Sequence, residues 1–204
     1  MINIAVILGC LLSGVLASQE VYSSSFKQPE PPLIIDEFSA NFMQHKWNNL
    51  SMSHITSGVI YMSASNNKAR IDNTHDGIIQ ASLFDYRNVT NDGFLNKNLI
   101  LQNLTKAPKC EYSYISIPAY PPMYKTILED SGAVFAGWTQ DDIYGKVETW
   151  NFLYSSIPVS VFIDQQKRFV RYDFWTPQDR TFTTTRFYNI QNKTQSRTLF
   201  DMPC

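Results

Sequence analysis

The chain has 204 residues, of which 44% are hydrophobic, 14% are aromatic and only 17% are charged, and its net charge is -1. A chain of this length and apolar content can bury the core of one globular domain. Because there is no excess of basic residues, neither nucleic acid nor an anionic membrane surface is expected as a partner.

Residues 1–17 have the pattern of a secretory signal peptide. An apolar run of thirteen residues extends from Ile4 to Leu16, and Val15-Leu16-Ala17 supplies the small residue that precedes a cleavage site. The run is too short to span a bilayer, which takes about twenty residues, and no other stretch is apolar and long enough. We therefore expect cleavage after Ala17 and an extracellular, secretory or endolysosomal location. A buried first element of a cytosolic domain is the alternative.

Four N-glycosylation sequons point to the same compartment. They begin at Asn49, Asn88, Asn103 and Asn192. Because a glycan cannot enter a packed core, all four side chains are expected to be solvent-exposed.

Removal of the signal peptide would take away Cys10 and leave Cys110 and Cys204. Two cysteines in an oxidising compartment are expected to pair. This disulfide would close a loop of roughly ninety residues and contribute on the order of 4 to 5 kcal/mol in the chain-entropy model. Free thiols, or a bridge between two chains, are the alternatives.

Residues 18–32 are predicted to form an extended arm, because Pro29, Pro31 and Pro32 disfavour helix and sheet. A single domain is predicted to follow over residues 33–204. At its start, residues 58–63 alternate between apolar and polar side chains, which is typical of a strand.

Turn signals then divide the chain into hairpins. The segment Ser65-Asn66-Asn67-Lys68 and the pair Asp76-Gly77 each separate two strand-like segments, which predicts an antiparallel meander. Further on, Pro121 and Pro122 precede one predicted helix over residues 123–129. Its apolar side would consist of Met123, Ile127 and Leu128, and Gly132 would lie just beyond its end.

From Lys146 onward the apolar residues again follow period two, which predicts strands. A polar turn over residues 164–168 separates two of these strands, and a threonine-rich strand follows over residues 180–190. The residues predicted to share a face within successive strands are Trp150, Phe152 and Tyr154, then Ile157, Val159, Val161 and Ile163, then Val170, Tyr172 and Phe174.

Several segments of the chain resemble the ependymin and ependymin-related secreted glycoproteins. They are IYMSASNNKARID, GAVFAGW, GKVETW, SSIPVSVFI and the C-terminal FDMPC, so the resemblance covers most of the mature chain. It implies a mainly β fold, with a strongly curved antiparallel sheet or half-open barrel of the lipoprotein-carrier type and short helices covering the concave side. One departure is that Ser155 and Ser156 stand where the family usually has a cysteine, so a second disulfide is not expected.

The resemblance also implies a deep apolar pocket on the concave face that binds a hydrophobic molecule such as a lipid or fatty acid. The candidate pocket residues are Trp150, Phe152, Tyr154, Val159, Val161, Val170, Tyr172 and Phe174. For each of them, packing in the core is the competing interpretation. Two other functions stay open: a structural or adhesive glycoprotein whose concavity is filled by its own side chains, and a secreted modulator of a papain-like protease, by analogy with precursor domains of similar pattern.

No catalytic or metal-binding motif is present in the sequence. His45, His54 and His75 lack zinc-site spacing, and there is neither a nucleophile elbow nor a phosphate-binding loop. Three acids near a turn, Asp141, Asp142 and Glu148, lack the spacing of a calcium-binding loop and are interpreted as solvated turn residues. We therefore expect no enzymatic activity, no cofactor and no metal, and the oligomeric state stays open, a homodimer included.

Overall fold

The computed structural model describes residues 27–48, 53–75, 78–89, 95–102, 109–115, 123–154, 156–176 and 180–201. Within these ranges, eleven strands form one sheet in which every neighbouring pair is antiparallel. The strands are β1 (Glu37–Asn48), β2 (Ser53–Ser63), β3 (Lys68–His75), β4 (Ile78–Val89), β5 (Leu95–Gln102), β6 (Lys109–Ile115), β7 (Val134–Asp141), β8 (Gly145–Tyr154), β9 (Ile157–Ile163), β10 (Phe169–Thr176) and β11 (Thr181–Asn192). The predicted mainly β class is confirmed.

The sheet consists of two meanders joined in the middle. Its strand order is β6-β5-β4-β3-β2-β1-β11-β10-β9-β8-β7, so the first and last strands are neighbours at its centre. Their pairing extends from Phe38 opposite Asn192 to Asn48 opposite Thr181. The predicted hairpin turn between β2 and β3 is confirmed, whereas Asp76-Gly77 lies outside the described residues, as do the signal peptide, Asn49, Asn103 and Cys204.

The sheet is strongly curved and stays open. Tyr86 on β4 and Tyr154 on β8 pack against the same apolar core, and the Tyr86 ring lies 6.2 Å from that of Tyr124, although six strands separate β4 from β8 in the sheet order. Such an approach requires the two halves of the sheet to curl towards each other. The curved, half-open sheet predicted from the resemblance is therefore present.

The concave face of this sheet holds the main apolar core. Helix α1 (Ile127–Asp130) and the segment that precedes β1 cover part of the face. The buried residues of this core are Ile34, Phe38, Ala40, Phe42, Ile60, Met62, Ala69, Ile71, Phe84, Met123, Ile127, Leu128, Ala133, Trp150, Phe152, Ile157, Val159, Val161, Ile163, Phe169, Tyr172 and Phe187.

Helix α1 is shorter than the helix predicted over residues 123–129. The three residues predicted for its apolar side are buried as expected, but the helix begins only at Ile127. The preceding backbone is bonded to other partners, because Lys125 N donates to the Asp36 carboxylate (3.2 Å) and Lys125 O accepts from Ile34 N (3.0 Å). Gly132, at φ +62°, ends the helical segment as predicted.

The segment before β1 forms neither helix nor strand in its described part, residues 27–36. The Gln28 side chain fixes it beside β7, since its Nε2 donates to Ala133 O (3.0 Å) and its Oε1 accepts from Phe135 N (3.4 Å). One amide side chain therefore bonds to backbone groups at the start of an edge strand.

One predicted face is wrong at Val170. The register between β9 and β10 shifts between Phe169 and Arg171, so the period-two pattern is interrupted there. Phe169 and Tyr172 both lie in the concave core, while Val170 packs on the convex side with Val147 and Phe162. Val170 is consequently not a residue of the concave face, and the other two predicted face groups are confirmed.

Candidate functional site

The centre of the predicted ligand face is filled by the protein itself. Trp150, Val161 and Tyr172 are 0% exposed, and Phe152 and Val159 are also buried. All five belong to the concave core together with the side chains of α1. Trp150, Val161 and Tyr172 are therefore enclosed by the core, whereas Phe152 and Val159 also line a pocket at the β7 edge of the sheet.

Trp150 is also held by polar contacts. Its Nε1 donates to Glu148 Oε2 (3.0 Å), and Lys167 Nζ donates to Glu148 Oε1 (3.0 Å). The indole nitrogen therefore has a protein partner, as buried tryptophans usually do. Glu148 is a half-buried ion-pair partner, so its interpretation as a solvated turn acid was wrong.

Asp141 was likewise misread as a solvated acid. Its carboxylate is buried, accepts hydrogen bonds from the backbone N–H groups of Ile143 (2.8 Å) and Tyr144 (3.0 Å), and pairs with Arg186 (Nη2 to Oδ2, 3.2 Å). These contacts stabilise the β7–β8 turn. Among the described residues, no cluster of three or more His, Cys, Asp or Glu side chains could hold a metal ion.

Tyr154, the remaining candidate on β8, belongs to a cluster of three tyrosines. Burial, followed by the nearby Tyr124, raises the pKa of Tyr154 to about 12. Burial also raises the pKa of Tyr124, and it raises that of Tyr86 well above the usual value. At neutral pH these phenols are protonated and can donate hydrogen bonds.

Phe174 is a candidate that borders an open space. It is half-buried and lines a pocket of about 330 Å³ at one end of the concave face, where β1, β2, β10 and β11 meet. The other lining residues are Lys46, Trp47, Asn48, His54, Thr176, Thr181 and Thr183. We call this space the strand-end pocket.

One side of the pocket is polar because the side chains of β1 that face the concavity become polar towards the strand end. On β1 the row facing the concavity runs from Phe42 through Gln44 to Lys46, so it changes from apolar to polar towards the strand end. The Gln44 amide donates to Thr185 Oγ1 (2.9 Å), and both side chains are buried. This hydrogen bond marks the boundary between the apolar core and the strand-end pocket.

A row of threonines on β11 forms the neighbouring wall of the pocket. Thr183 lies opposite Lys46 on one side and opposite Phe174 on the other, and Thr181 lies opposite Thr176. The threonine hydroxyls can both donate and accept hydrogen bonds. The pocket thus combines an aromatic wall with several hydrogen-bonding groups.

Lys46 and His54 line the strand-end pocket from two neighbouring strands. Lys46 on β1 and His54 on β2 are directly opposite each other in the sheet, so their side chains share one face. No acidic residue occurs among the described residues that line the pocket. Within this described lining, Lys46 supplies a positive charge.

A second pocket of about 510 Å³ lies at the β7 edge of the sheet. It opens where β7 begins, and the side chains of Val134 and Leu153 beside it are 57% and 68% exposed. Its remaining lining residues are Ser131, Gly132, Asn151, Phe152, Pro158, Val159 and Ser160. These residues include no charged side chain.

The sequence did not indicate Lys46, His54 or Thr183 as pocket residues. The usable signal was the change from apolar to polar residues along period-two rows, as in the rows that contain Lys46 and Thr183. That signal indicates a pocket only once β1 is known to pair with β11. The sequence alone does not reveal this pairing, because paired residues such as Gln44 and Thr185 are 141 positions apart.

The asparagines of two sequons are exposed to solvent. Asn88 on β4 and Asn192 on β11 are both exposed, which confirms the expectation for these two asparagines.

Cys110 packs beside Leu199 and Phe200 of the 3-10 helix Arg197–Phe200, on the convex side of the sheet. In the described part of the chain, no helix has the length and apolar character needed to cross a membrane.

Comparisons with known proteins give distant likenesses in structure. No protein-family model and no curated protein sequence matches this chain. Among solved structures, a LolA superfamily protein from Nitrosomonas europaea has 8% identity and a TM-score of 0.45, over 84% of this chain and 92% of that one. An uncharacterized conserved protein from Thermus thermophilus has 8% identity and a TM-score of 0.45, over 83% and 87%.

A DUF1329 family protein from Desulfovibrio piger has 10% identity and a TM-score of 0.32, over 81% of this chain and 90% of that one. Likenesses at this level carry no argument about ligand or activity. The strand-end pocket and its chemistry are therefore the basis for assigning a function.

Proposed function

We propose that this chain is a secreted glycoprotein that binds a small hydrophobic molecule in the strand-end pocket of its curved sheet, without catalysing a reaction. The observation that carries the proposal is the open space of about 330 Å³ beside Phe174. Its volume lies within the range of about 300 to 1,000 Å³ that is typical of small-molecule sites.

The aromatic wall of the pocket is held in place by the core. The Phe174 ring stacks on Tyr172 with ring centroids 6.0 Å apart and an interplanar angle of 10°, and Tyr172 is itself fully buried. A ligand would therefore meet a surface that is already ordered, which lowers the entropic cost of binding. Since the central concave face is filled, the ligand occupies the strand end and not the full length of the sheet.

A second candidate function is that of a structural or adhesive extracellular glycoprotein. It is favoured by the complete burial of Trp150, Val161 and Tyr172, whose positions were predicted as ligand contacts. On this hypothesis the strand-end pocket is filled only by solvent, and no apolar molecule binds it with saturable affinity.

The proposal that the protein is secreted predicts three covalent features. The ependymin-like segments of the sequence support secretion. The mature chain begins at Ser18, Cys110 is bonded to Cys204, and the sequons carry glycans. The packing of Cys110 against Phe200 supports this disulfide, because Phe200 lies only four positions before the C-terminal cysteine. Mass spectrometry of the secreted protein under non-reducing conditions tests it, and an uncleaved N-terminus or two free thiols would contradict it.

Ligand binding is tested by calorimetric titration with 1-decanol, a neutral molecule with an apolar chain. We expect one saturable site with a negative heat-capacity change, which is the signature of apolar burial. Phe174→Ala should weaken binding by about tenfold, a loss of roughly 1.4 kcal/mol, which is of the size expected for part of a phenylalanine contact.

Trp175→Ala is the matched control for this titration. Trp175 is adjacent in sequence but lies on the convex face, where its ring packs near Phe182 (6.2 Å between centroids). Its replacement should leave the affinity for 1-decanol unchanged. Absence of saturable binding by the unmodified protein would refute the proposal and favour the structural candidate.

A further inference from the structure

We propose that residues 18–26 of this chain cover the outer edge of β7, with the Phe26 side chain in the pocket of about 510 Å³ beside Val134. We call this space the β7-edge pocket. Residues 18–26 lie outside the described residues, and the described segment that follows them begins at Lys27. The inference does not depend on the strand-end pocket, so either proposal can fail while the other stands.

The first argument is the apolar surface beside the β7-edge pocket. Val134 and Leu153 are 57% and 68% exposed, and Pro158 is also exposed. In the sheet register Val134 is opposite Asn151, and Leu153 is opposite Pro158, so these side chains share one face of the sheet. Apolar side chains exposed side by side are typical of a surface that contacts another segment.

The second argument is that β7 is the last strand of the sheet in the described part of the chain. An uncovered edge strand favours aggregation, and proteins usually cover such an edge or protect it with charges, proline or a bulge. The only charged residue of β7 is Asp141 at its end, and the strand has no proline. A bulge between Phe135 and Gly137 protects its middle. The first residues of β7, beside the pocket, therefore need another form of cover.

The third argument is that the chain already contacts this edge through Gln28. The Gln28 amide donates to Ala133 O (3.0 Å) and accepts from Phe135 N (3.4 Å), as a neighbouring strand would. Because Gln28 precedes Pro29, extended backbone is favoured at this position. In an extended chain, side chains two positions apart point to the same side. Phe26 would then point towards β7, about 7 Å along the chain from Gln28.

The fourth argument is the composition and length of the covering segment. Residues 21–26 have the sequence VYSSSF and carry no charge, which suits a pocket whose described lining residues are all uncharged. Tyr22 and Phe26 would lie on the same side of an extended chain, and Val21 on the other. The nine residues 18–26 span about 30 Å when extended, and the eight residues of β7 span about 26 Å. The segment is therefore long enough to follow the whole edge.

The test places the photo-cross-linking amino acid p-benzoylphenylalanine at position 26 of the secreted full-length protein, where it keeps an aromatic side chain. Irradiation and peptide mass spectrometry should identify cross-links within one chain to Val134, Leu153 or Pro158. The same probe at the exposed position of Ile55 on β2 is the control and should give none of these cross-links. Absence of cross-links from position 26 to the pocket residues would overturn the inference.

Hydrogen exchange of backbone amides is the second readout. Phe26→Ser should speed exchange at least about fivefold in peptides that cover residues 131–136 and 151–154, because these residues lose their cover. Val21→Ser is the matched control, since Val21 would face away from β7, and it should change exchange less than about twofold. Equal exchange in Phe26→Ser and the unmodified protein would contradict the proposed contact.

Protein concentration separates a contact within one chain from an exchange of segments between two copies. Within one chain, the yield of cross-linked product is independent of concentration and the product migrates as a monomer after denaturation. Cross-links formed only between two chains, with a yield that rises with concentration, would overturn the inference and assign the pocket to a second copy. If Phe26→Ser is not secreted, the cross-linking experiment decides alone, because its probe retains the aromatic ring.

Discussion

Two phenylalanine truncations should differ in cost, because one residue is enclosed by protein and the other faces an open pocket. Phe187 is fully buried on β11, and its ring lies 5.9 to 6.3 Å from those of Tyr172, Phe38 and Phe169. Replacing Phe187 by Ala leaves a closed cavity, so we expect a loss of about 3 to 5 kcal/mol of unfolding free energy.

The expected cost of Phe174→Ala is smaller and follows from its surroundings. Phe174 is half-buried and already borders the strand-end pocket, so about half of the transfer free energy of a phenylalanine, roughly 1 kcal/mol, is lost. The stack on Tyr172 adds about 0.5 to 1 kcal/mol. No new enclosed cavity forms, and the sum is about 1.5 to 2 kcal/mol.

Equilibrium unfolding in urea under non-reducing conditions measures both losses, provided that the slope of free energy against urea is the same in all three proteins. If Phe174→Ala costs 3 kcal/mol or more, the space beside Phe174 is closed in solution. That result would remove the basis for a ligand site at the strand end.

Three further predictions concern other parts of the chain. A Cβ at Gly58 would lie 2.0 Å from Asp72 O, so Gly58→Ala should cost at least about 2 kcal/mol in the same urea assay; an unchanged midpoint would contradict this close approach. The pKa of Tyr154 is raised to about 12, so its protonated form stabilises the folded state. This contribution to the free energy of unfolding is complete below about pH 10 and is lost as the pH rises towards 12. Tyr154→Phe should therefore raise the pH of alkaline unfolding monitored by circular dichroism, and a lower or equal midpoint would count against the buried cluster. Asn88→Gln and Asn192→Gln should each remove one glycan from the secreted protein, seen as a mass decrease, with little change in stability because both side chains are exposed; an unchanged mass for either would show that its sequon is not used.

Most strands of the C-terminal half could be predicted from period-two patterning. Residues such as Phe152 and Val159 face the concave core as expected. Val170 was assigned to the wrong face because the irregular pairing between Phe169 and Arg171 leaves no mark in an otherwise regular apolar pattern. Helix α1 was predicted too long because nothing local indicates that Lys125 bonds to the segment before β1.

The site was harder to predict than the strands. Patterning identifies which residues share a face, but it cannot tell a filled face from an open one, as the burial of Trp150 and the open space at Phe174 show. The polar wall depends on the pairing of β1 with β11, which brings together residues such as Gln44 and Thr185 from opposite ends of the chain. No local pattern encodes that pairing.

The central pairing of β1 with β11 also determines when the chain can fold. Each meander can form from neighbouring segments as it is synthesised, but β1 gains its second neighbour only when β11, close to the C-terminus, has emerged. Until then one edge of β1 is open and apolar side chains such as Phe38 are not yet covered, a state that favours aggregation. We therefore expect slow folding, as is typical of topologies dominated by long-range contacts, and we expect a chain truncated before Thr181 to aggregate instead of forming a smaller stable sheet.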